Sequence, residues 1–124
     1  MAGYWVRACI SFSAAHRIEG HPRCGRVHGH NYRVCVWLRE EEPMDIDLDE
    51  LWEWLRLNVY EVMDHQYLNQ VLASRLGGGS GELPTVTSED IARLVAAGLE
   101  ERWPGRLLRV EVCETGDLCA GYEP

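Results

Sequence analysis

Two stretches of alternating residues decide the fold: YWVRACISF at residues 4–12 and HNYRVCVWLR at residues 30–39. In each stretch every second side chain is apolar. Because successive side chains of a β-strand point to opposite faces of the sheet, this alternation predicts two half-buried strands. The connection between them, residues 16–29, is punctuated by Gly and Pro, and four of the five histidines fall within residues 16–30. Loops often carry binding or catalytic residues, so we expect the chemistry of the protein here.

After residue 40 the apolar period changes to that of a helix. Asp47 precedes one amphipathic stretch, and Thr87, with Asp90 three residues later, precedes a second that ends at Pro104. Short polar side chains at these positions cap helix N-termini, so both stretches predict helices that begin there. The glycine-rich residues 77–81 predict a surface loop between the two helices.

Alternation resumes at residues 108–114, and a short last strand is expected around residues 119–122. The predicted order is therefore β-β-α-α-β-β, in a single domain over residues 1–124. Two amphipathic helices that cover one face of an antiparallel sheet make an α+β fold. Trp5, Cys35 and Trp37 would lie on the opposite face, where we expect a partner copy of the chain, so the sequence predicts a homo-oligomer.

Composition excludes two classes of partner. The formal net charge is −8 at pH 7 among 124 residues, which argues against binding to nucleic acid or to an anionic membrane.

Residues 1–10 do not read as a signal peptide, and no stretch is apolar enough to span a bilayer, so we expect a cytoplasmic protein. Five cysteines without a CxxC pair suggest no disulfide framework, and we expect reduced thiols.

The strongest local signal is the segment from Cys24 to His30, in which His28 and His30 are two residues apart. In extended backbone both imidazoles point to one side and can reach one ion. His16, at the end of the first strand, becomes a third ligand if the two strands pair. Three imidazoles with one open position describe a catalytic zinc site and leave Cys24 free as a reactive thiolate. The alternative is a closed structural site that includes the Cys24 sulfur, in a zinc-stabilised binding module.

Two further positions are candidates for chemistry. Asp64 and His65 follow the first helix, and a carboxylate beside an imidazole suits acid/base work. Adjacent residues rarely bond each other directly, and a histidine stabilised at a helix end is the alternative. Glu114 stands on an otherwise apolar face of a predicted strand, as a buried carboxylate or as an ordinary edge residue.

Five motifs, in this order, resemble the 6-pyruvoyl-tetrahydropterin synthase and 6-carboxytetrahydropterin synthase superfamily. They span nearly the whole chain and are Phe12-Ser13-Ala14-Ala15-His16, Cys24-x-x-x-His28-Gly29-His30-Asn31-Tyr32, Met63-Asp64-His65-Gln66-Tyr67-Leu68-Asn69, Thr87-Ser88-Glu89 and Val112-Cys113-Glu114-Thr115. The resemblance implies the tunnelling fold (T-fold), in which subunits assemble as a hexamer of two stacked trimers with active sites between subunits.

The resemblance also assigns the site residues. It implies that Zn²⁺ is bound by His16, His28 and His30. Cys24 would abstract a proton as a thiolate, with Asp64 and His65 as the second acid/base group. Glu114 would anchor the ring of a pterin substrate, and Thr87 and Ser88 would contact the same ring.

Within the superfamily, the short Cys24-x-x-x-His28 spacing resembles the 6-carboxytetrahydropterin synthases of queuosine (7-deazaguanine) biosynthesis. The expected reaction is a lyase conversion of 7,8-dihydroneopterin triphosphate to 6-carboxy-5,6,7,8-tetrahydropterin, acetaldehyde and triphosphate. A pyruvoyl-forming or side-chain-cleaving activity is the alternative. Arg17, Arg23 and Arg26 are candidates to meet the triphosphate, because they cluster near the predicted site.

Overall fold

The structure is a computed structural model that describes residues 3–23, 25–76 and 84–124. Its elements, in chain order, are strand β1 (Tyr4–His16), strand β2 (His28–Glu40), helix α1 (Leu48–Leu55), a π-helical turn (Arg56–Tyr60), helix α2 (Glu61–Met63), helix α3 (Leu68–Val71), helix α4 (Ser88–Arg102), strand β3 (Leu107–Thr115) and strand β4 (Leu118–Tyr122). None of the described helices is long and apolar enough to cross a membrane. The predicted glycine-rich loop at residues 77–81 lies outside the described residues.

The four strands form one antiparallel sheet in the order β1-β2-β3-β4, which confirms the predicted α+β fold. β1 and β2 pair without a break from Tyr4 opposite Glu40 to His16 opposite His28. Both strands are longer than their alternating stretches predicted. The first and last residues of the predicted loop, 16–29, therefore belong to the sheet. His16 and His28 lie opposite each other on neighbouring strands.

The two predicted helix starts are confirmed by their caps. The Asp47 side chain accepts hydrogen bonds from the main-chain N–H groups of Asp49 and Glu50. Thr87 and Asp90 form a reciprocal capping box at the start of α4. Each cap satisfies N–H groups that have no partner within the helix.

The first helical segment contains one irregularity with a clear cause. Leu51, Leu55, Val59 and Met63 are spaced four residues apart and are at most 1% exposed. A spacing of four exceeds the roughly 3.6 residues of an α-helical turn, so these side chains would drift around a regular helix. The π-helical turn, closed by the Glu61 N–H to the Arg56 carbonyl, takes up the excess and keeps the stripe facing the sheet.

The core lies between the sheet and the helices. Val34, Val36, Val110 and Val112 of the two central strands are fully buried. They belong to the same apolar cluster as the inward residues of α1 and α4, which include Leu51, Leu55, Ile91, Val95 and Leu99. This packing makes the central strands a rigid support for the residues at their ends.

The opposite face of the sheet is partly covered by its own side chains. Trp5 is 61% exposed, as expected, but Cys35 is only 1% exposed. The guanidinium groups of Arg7 and Arg109 lie 5.1 and 5.2 Å from the Trp37 ring centroid, and Arg7 also donates to the Cys35 sulfur.

The expectation of reduced thiols is wrong for the four described cysteines. Cys9 is bonded to Cys35 across β1 and β2, and Cys113 is bonded to Cys119 across β3 and β4. Each pair is directly opposite in the strand register, with Cα atoms 4.1 and 3.9 Å apart. Sequence spacing did not reveal these pairs because they depend on strand register.

The edge of β1 is covered where the site begins. The His65 N–H donates to the Ser13 carbonyl at 2.6 Å, and the Ala15 N–H donates to the Gln66 carbonyl at 3.0 Å. The segment that follows α2 therefore lies along the end of β1. The main-chain N–H and C=O groups of an exposed strand edge can pair with another chain. Here residues of this segment take up those hydrogen bonds at the end of β1.

Candidate active site

Three histidine rings meet at the paired ends of β1 and β2. His16 is the Cα partner of His28, and His30 is the partner of Ala14. The side chains of all three alternate onto the same face of the sheet, and one ligand nitrogen of each lies within 4.8 Å of the others. Strand pairing thus brings together the three residues that the sequence predicted as metal ligands.

Main-chain carbonyls set the tautomers of two of these rings. His16 Nδ1 lies 2.7 Å from the Val86 carbonyl oxygen, and His28 Nδ1 lies 2.6 Å from the Arg26 carbonyl oxygen. A carbonyl oxygen can only accept, so in each ring we assign the proton to Nδ1. Nε2 of both rings then carries a free lone pair, as in histidines that ligate metals.

Burial favours the neutral form of His16 and His30. The His16 ring is fully buried, and this desolvation lowers its pKa, with a smaller lowering from the nearby His28 and His30. Desolvation also lowers the pKa of His30, against a raising effect from Glu114. Nε2 of His16 and Nε2 of His30 are buried without a hydrogen-bond partner. Buried polar atoms normally have partners, so two converging unpaired nitrogens fit a bound metal ion.

Glu114 of β3 lies against this cluster. Its Oε2 is 3.7 Å from His30 Nε2, and its Oε1 is 4.0 Å from His16 Nε2. The Ser88 hydroxyl, at the start of α4, donates to Oε1 at 3.3 Å. Two of the predicted substrate-contacting residues, Glu114 and Ser88, are therefore in contact with each other beside the histidines.

Thr87 has a structural partner. Its hydroxyl donates to the Asp90 carboxylate at 3.0 Å and accepts from the Asp90 N–H at 3.1 Å. The side chain is thus used in the cap of α4, while the preceding carbonyl, of Val86, holds His16.

Asp64 and His65 form a bonded pair, contrary to the expectation that neighbours seldom do. His65 adopts a positive φ of 57°, and its Nδ1 lies 2.7 Å from Asp64 Oδ2. The Ser13 N–H donates to Asp64 Oδ1 at 3.0 Å, and this bond holds the pKa of the carboxyl below its usual range. Hydrogen bonds from His65 and Tyr60 act in the same direction. The result is an ionised carboxylate that orients an imidazole whose side chain is 81% exposed.

An open cleft of about 490 Å³ lies beside the ends of β1 and β2. Its lining includes His30 of the histidine cluster and His65 of the carboxylate pair, with Ser13 and Asn31 between them. The Ser13 hydroxyl donates to the Asn31 side-chain oxygen at 2.7 Å. A small molecule in this cleft can therefore contact the exposed His65 ring.

The remaining predicted residues lie in the connection between β1 and β2. Arg17, Arg23 and Arg26 are all exposed, and the Arg17 Nε donates to the Gly25 carbonyl at 2.7 Å. Cys24, the predicted thiolate, lies outside the described residues.

Sequence reasoning missed two supporting residues. Asn69 is 3% exposed and bonds both the N–H and the carbonyl of Arg17, at 2.8 Å each, and the carbonyl of Pro84 at 2.7 Å. It ties the chain after His16 to the chain before Val86. Tyr32, fully buried, presents its ring edge-on to His16 and His30 at 5.7 and 5.4 Å between centroids. The available signal was their place inside the quoted motifs.

Known proteins resemble this chain in sequence. A candidate 6-carboxy-5,6,7,8-tetrahydropterin synthase of Archaeoglobus fulgidus is 36% identical over 113 residues, which cover 89% of this chain and 87% of the relative. The 6-carboxy-5,6,7,8-tetrahydropterin synthase of Synechocystis is 36% identical over 122 residues, covering 91% and 88%.

Solved structures agree on the fold. The 6-pyruvoyl tetrahydropterin synthase of Caenorhabditis elegans superposes with a TM-score of 0.82 at 27% identity, covering 100% of this chain and 97% of that one. The Plasmodium falciparum enzyme of the same name, at 17% identity, gives 0.76 over 100% and 99%, and supports the fold alone. A family model described as 6-pyruvoyl tetrahydropterin synthase matches residues 6–124. The chain belongs to the 6-pyruvoyl tetrahydropterin synthase family.

Proposed function

We propose that this chain is a zinc-dependent 6-carboxytetrahydropterin synthase, a lyase of queuosine (7-deazaguanine) biosynthesis. Its substrates are 7,8-dihydroneopterin triphosphate and one water molecule, and its products are 6-carboxy-5,6,7,8-tetrahydropterin, acetaldehyde and triphosphate. The observation that carries the proposal is the convergence of one nitrogen each of His16, His28 and His30 to within 4.8 Å of one another at the paired ends of β1 and β2. The bonded pair of Asp64 and His65 lies in the segment that runs along the end of β1.

Two observations favour the 6-carboxytetrahydropterin synthase branch of the family. The Archaeoglobus fulgidus and Synechocystis relatives, each 36% identical over most of the chain, are named for the 6-carboxy product. The three-residue gap between Cys24 and His28 is the short form that resembles the same branch.

The donor set suits zinc. Three imidazole nitrogens match the ligands that Zn²⁺ takes in catalytic sites, and burial lowers the pKa of His16 and of His30, which favours the unprotonated form that binds a metal. When bound by His16, His28 and His30, the ion would polarise substrate oxygens and acidify the neighbouring protons.

The chain's own groups then move the protons. Asp64 is ionised and fixes Nδ1 of His65 as the donor to it, so His65 Nε2 is free to take or return a proton in the cleft. Cys24 supplies the second proton-transfer group as a thiolate, which nearby cations such as Arg23 and Arg26 favour. Glu114 holds the pterin ring, with Ser88 and Thr87 beside it, and Arg17, Arg23 and Arg26 meet the triphosphate.

A second candidate differs only in the product. The family model and the Caenorhabditis elegans structure both carry the name of 6-pyruvoyl tetrahydropterin synthase. The same zinc site and acid/base groups would serve that reaction, in which the side chain is retained as a pyruvoyl group.

The proposal extends to assembly and location. We take the working form to be a cytoplasmic homo-oligomer, a hexamer built as a dimer of trimers, with each site completed between subunits. The exposed Trp5 on the outer face of the sheet supports self-association.

Product identification tests the proposal. The purified protein, loaded with one zinc ion per chain, is incubated with 7,8-dihydroneopterin triphosphate, and the products are analysed by mass spectrometry. We expect the carboxy product and acetaldehyde, and no conversion after zinc is removed by a chelator. A pyruvoyl product would select the second candidate, and the absence of any pterin product would contradict both.

A further inference from the structure

Glu114 and His16 present an unusual contact. The proton of His16 is on Nδ1, which faces the Val86 carbonyl, so Nε2 is an acceptor with a free lone pair. The atom facing it is a carboxylate oxygen, Glu114 Oε1, at 4.0 Å. Two acceptors face each other in a buried setting, and Nε2 has no hydrogen-bond partner. Such an arrangement is unfavourable unless a proton or a metal ion lies between the two atoms.

The second carboxylate oxygen repeats the arrangement. Oε2 lies 3.7 Å from His30 Nε2, which is also buried without a hydrogen-bond partner. Glu114 is held in this pose by β3 and by the Ser88 hydroxyl, and its side chain is 23% exposed. The two carboxylate oxygens therefore face the histidine nitrogens.

Distances support a shared ion. Nitrogen and oxygen ligands bond zinc at about 2.0–2.2 Å, so two ligands of a tetrahedral ion are roughly 3.3–3.5 Å apart. The separations of 3.7 and 4.0 Å are close to this value. Glu114 thus stands near the position of a fourth ligand. Its negative charge would also offset half the charge of a divalent ion, which three neutral imidazoles do not.

We propose that Glu114 is the fourth metal ligand of the substrate-free protein, and that the pterin ring releases it from the metal. This inference rests on the proposed function, which gives the same carboxylate the ring N–H groups as partners. A carboxylate held by the ring is drawn away from the ion, and the vacated position becomes available to the hydroxyls of the substrate side chain. In this scheme the fourth coordination position of the metal is occupied until the pterin ring binds.

The first experiment measures zinc affinity without substrate, by competition with a chromophoric chelator. Glu114→Gln keeps the size of the side chain and removes its charge. Glu111→Gln is the matched control, because Glu111 lies on the same strand but on the outer face, with its side chain 26% exposed. We expect the zinc dissociation constant to rise at least about tenfold in Glu114→Gln and to stay within about twofold of wild type in the control. Equal affinity in all three proteins would overturn the inference.

A second variant guards against misfolding of the first. Ser88→Ala removes only the hydroxyl that holds Glu114, at a helix position that alanine tolerates well. We expect a smaller rise in the zinc dissociation constant, in the same direction. Unchanged affinity in a Ser88→Ala protein, with Glu114→Gln unfolded by circular dichroism, would count against the inference.

The release step has its own test. Unsubstituted pterin carries the ring without the side-chain hydroxyls, so it competes with the metal for Glu114 but supplies no replacement ligand. Binding of pterin should be weaker to the zinc-loaded protein than to the metal-free protein, and by linkage pterin should weaken zinc binding by the same factor. Equal or tighter pterin binding with zinc would overturn the release step.

The outcomes separate the two proposals. If wild type binds no zinc, or binds it equally well after His16→Ala, the proposed function fails along with the inference. If wild type binds one zinc through the histidines and Glu114→Gln binds it equally well, only the inference fails.

Discussion

His16 Nδ1 lies 2.7 Å from the carbonyl oxygen of Val86, a residue 70 positions away in the chain. A metal-ligating imidazole is oriented by the partner of its other nitrogen, so the position of Val86 decides where His16 Nε2 points. Asn69 fixes that position, because its amide bonds the chain on both sides of the contact, at Arg17 and at Pro84.

Replacing Asn69 should therefore weaken both the fold and the metal site. Asn69→Ala removes three hydrogen bonds of a nearly buried amide, and we expect the free energy of unfolding to fall by about 2–4 kcal/mol. The zinc dissociation constant should rise about 10- to 100-fold. Urea unfolding and chelator competition measure the two effects. Asn58→Ala, at an exposed residue with one hydrogen bond to the Trp54 carbonyl, is the control and should change neither.

Buried imidazoles make the metal-free protein sensitive to mild acid. His16 and His30 have lowered pKa values in the folded protein, against the usual value of 6.5 in an unfolded chain. As the pH falls through 6.5, the unfolded chain takes up protons first, so folding stability falls until the folded-state pKa values are reached. We expect the urea midpoint of the metal-free protein to decrease as the pH falls from about 7 through 6.5 and below. The decrease should be shallower in His16→Gln, and the same slope in both proteins would contradict the assignment.

The Asp64–His65 contact predicts a loss of turnover without a loss of metal. In Asp64→Asn the amide can still accept from the Ser13 N–H, but its NH₂ group then faces His65 Nδ1 and favours the wrong tautomer. We expect kcat to fall about 10²- to 10⁴-fold while zinc content and thermal stability stay close to wild type. Asp117→Asn, an exposed carboxylate in the β3–β4 turn, should keep full activity. Loss of zinc from Asp64→Asn would instead indicate a structural role.

A variant of Cys24 distinguishes the enzyme hypothesis from the hypothesis of a zinc-stabilised binding module. If three histidines suffice for zinc, Cys24→Ala should retain one zinc ion per chain while product formation is lost, because the thiol moves a proton and is not a ligand. Metal analysis of the purified variant decides the matter. A variant that loses its zinc would show that the sulfur belongs to a closed structural site.

The strand register predicts the number of free thiols. Four of the five cysteines are bonded in two pairs, Cys9–Cys35 and Cys113–Cys119, so only Cys24 is left over. Protein purified and unfolded without reductant should react with about one equivalent of a thiol reagent per chain, and with about five after reduction. Cys24→Ala should give none before reduction. More than one reactive thiol in the unreduced wild type would contradict the pairing.

The sequence alone determined the order of elements, because local alternation, helical periodicity and capping residues each depend on neighbours within a few positions. It identified Asp47 and Thr87 as helix caps, and it predicted the three histidines as one group through the pairing of the strands that carry them. Only the tertiary structure decided the cysteine pairs, the bond between Asp64 and His65, and the approach of Glu114 and Val86 to the histidines. Strand register, a positive φ and the packing of α4 against the sheet set these contacts, and each of them depends on the whole fold.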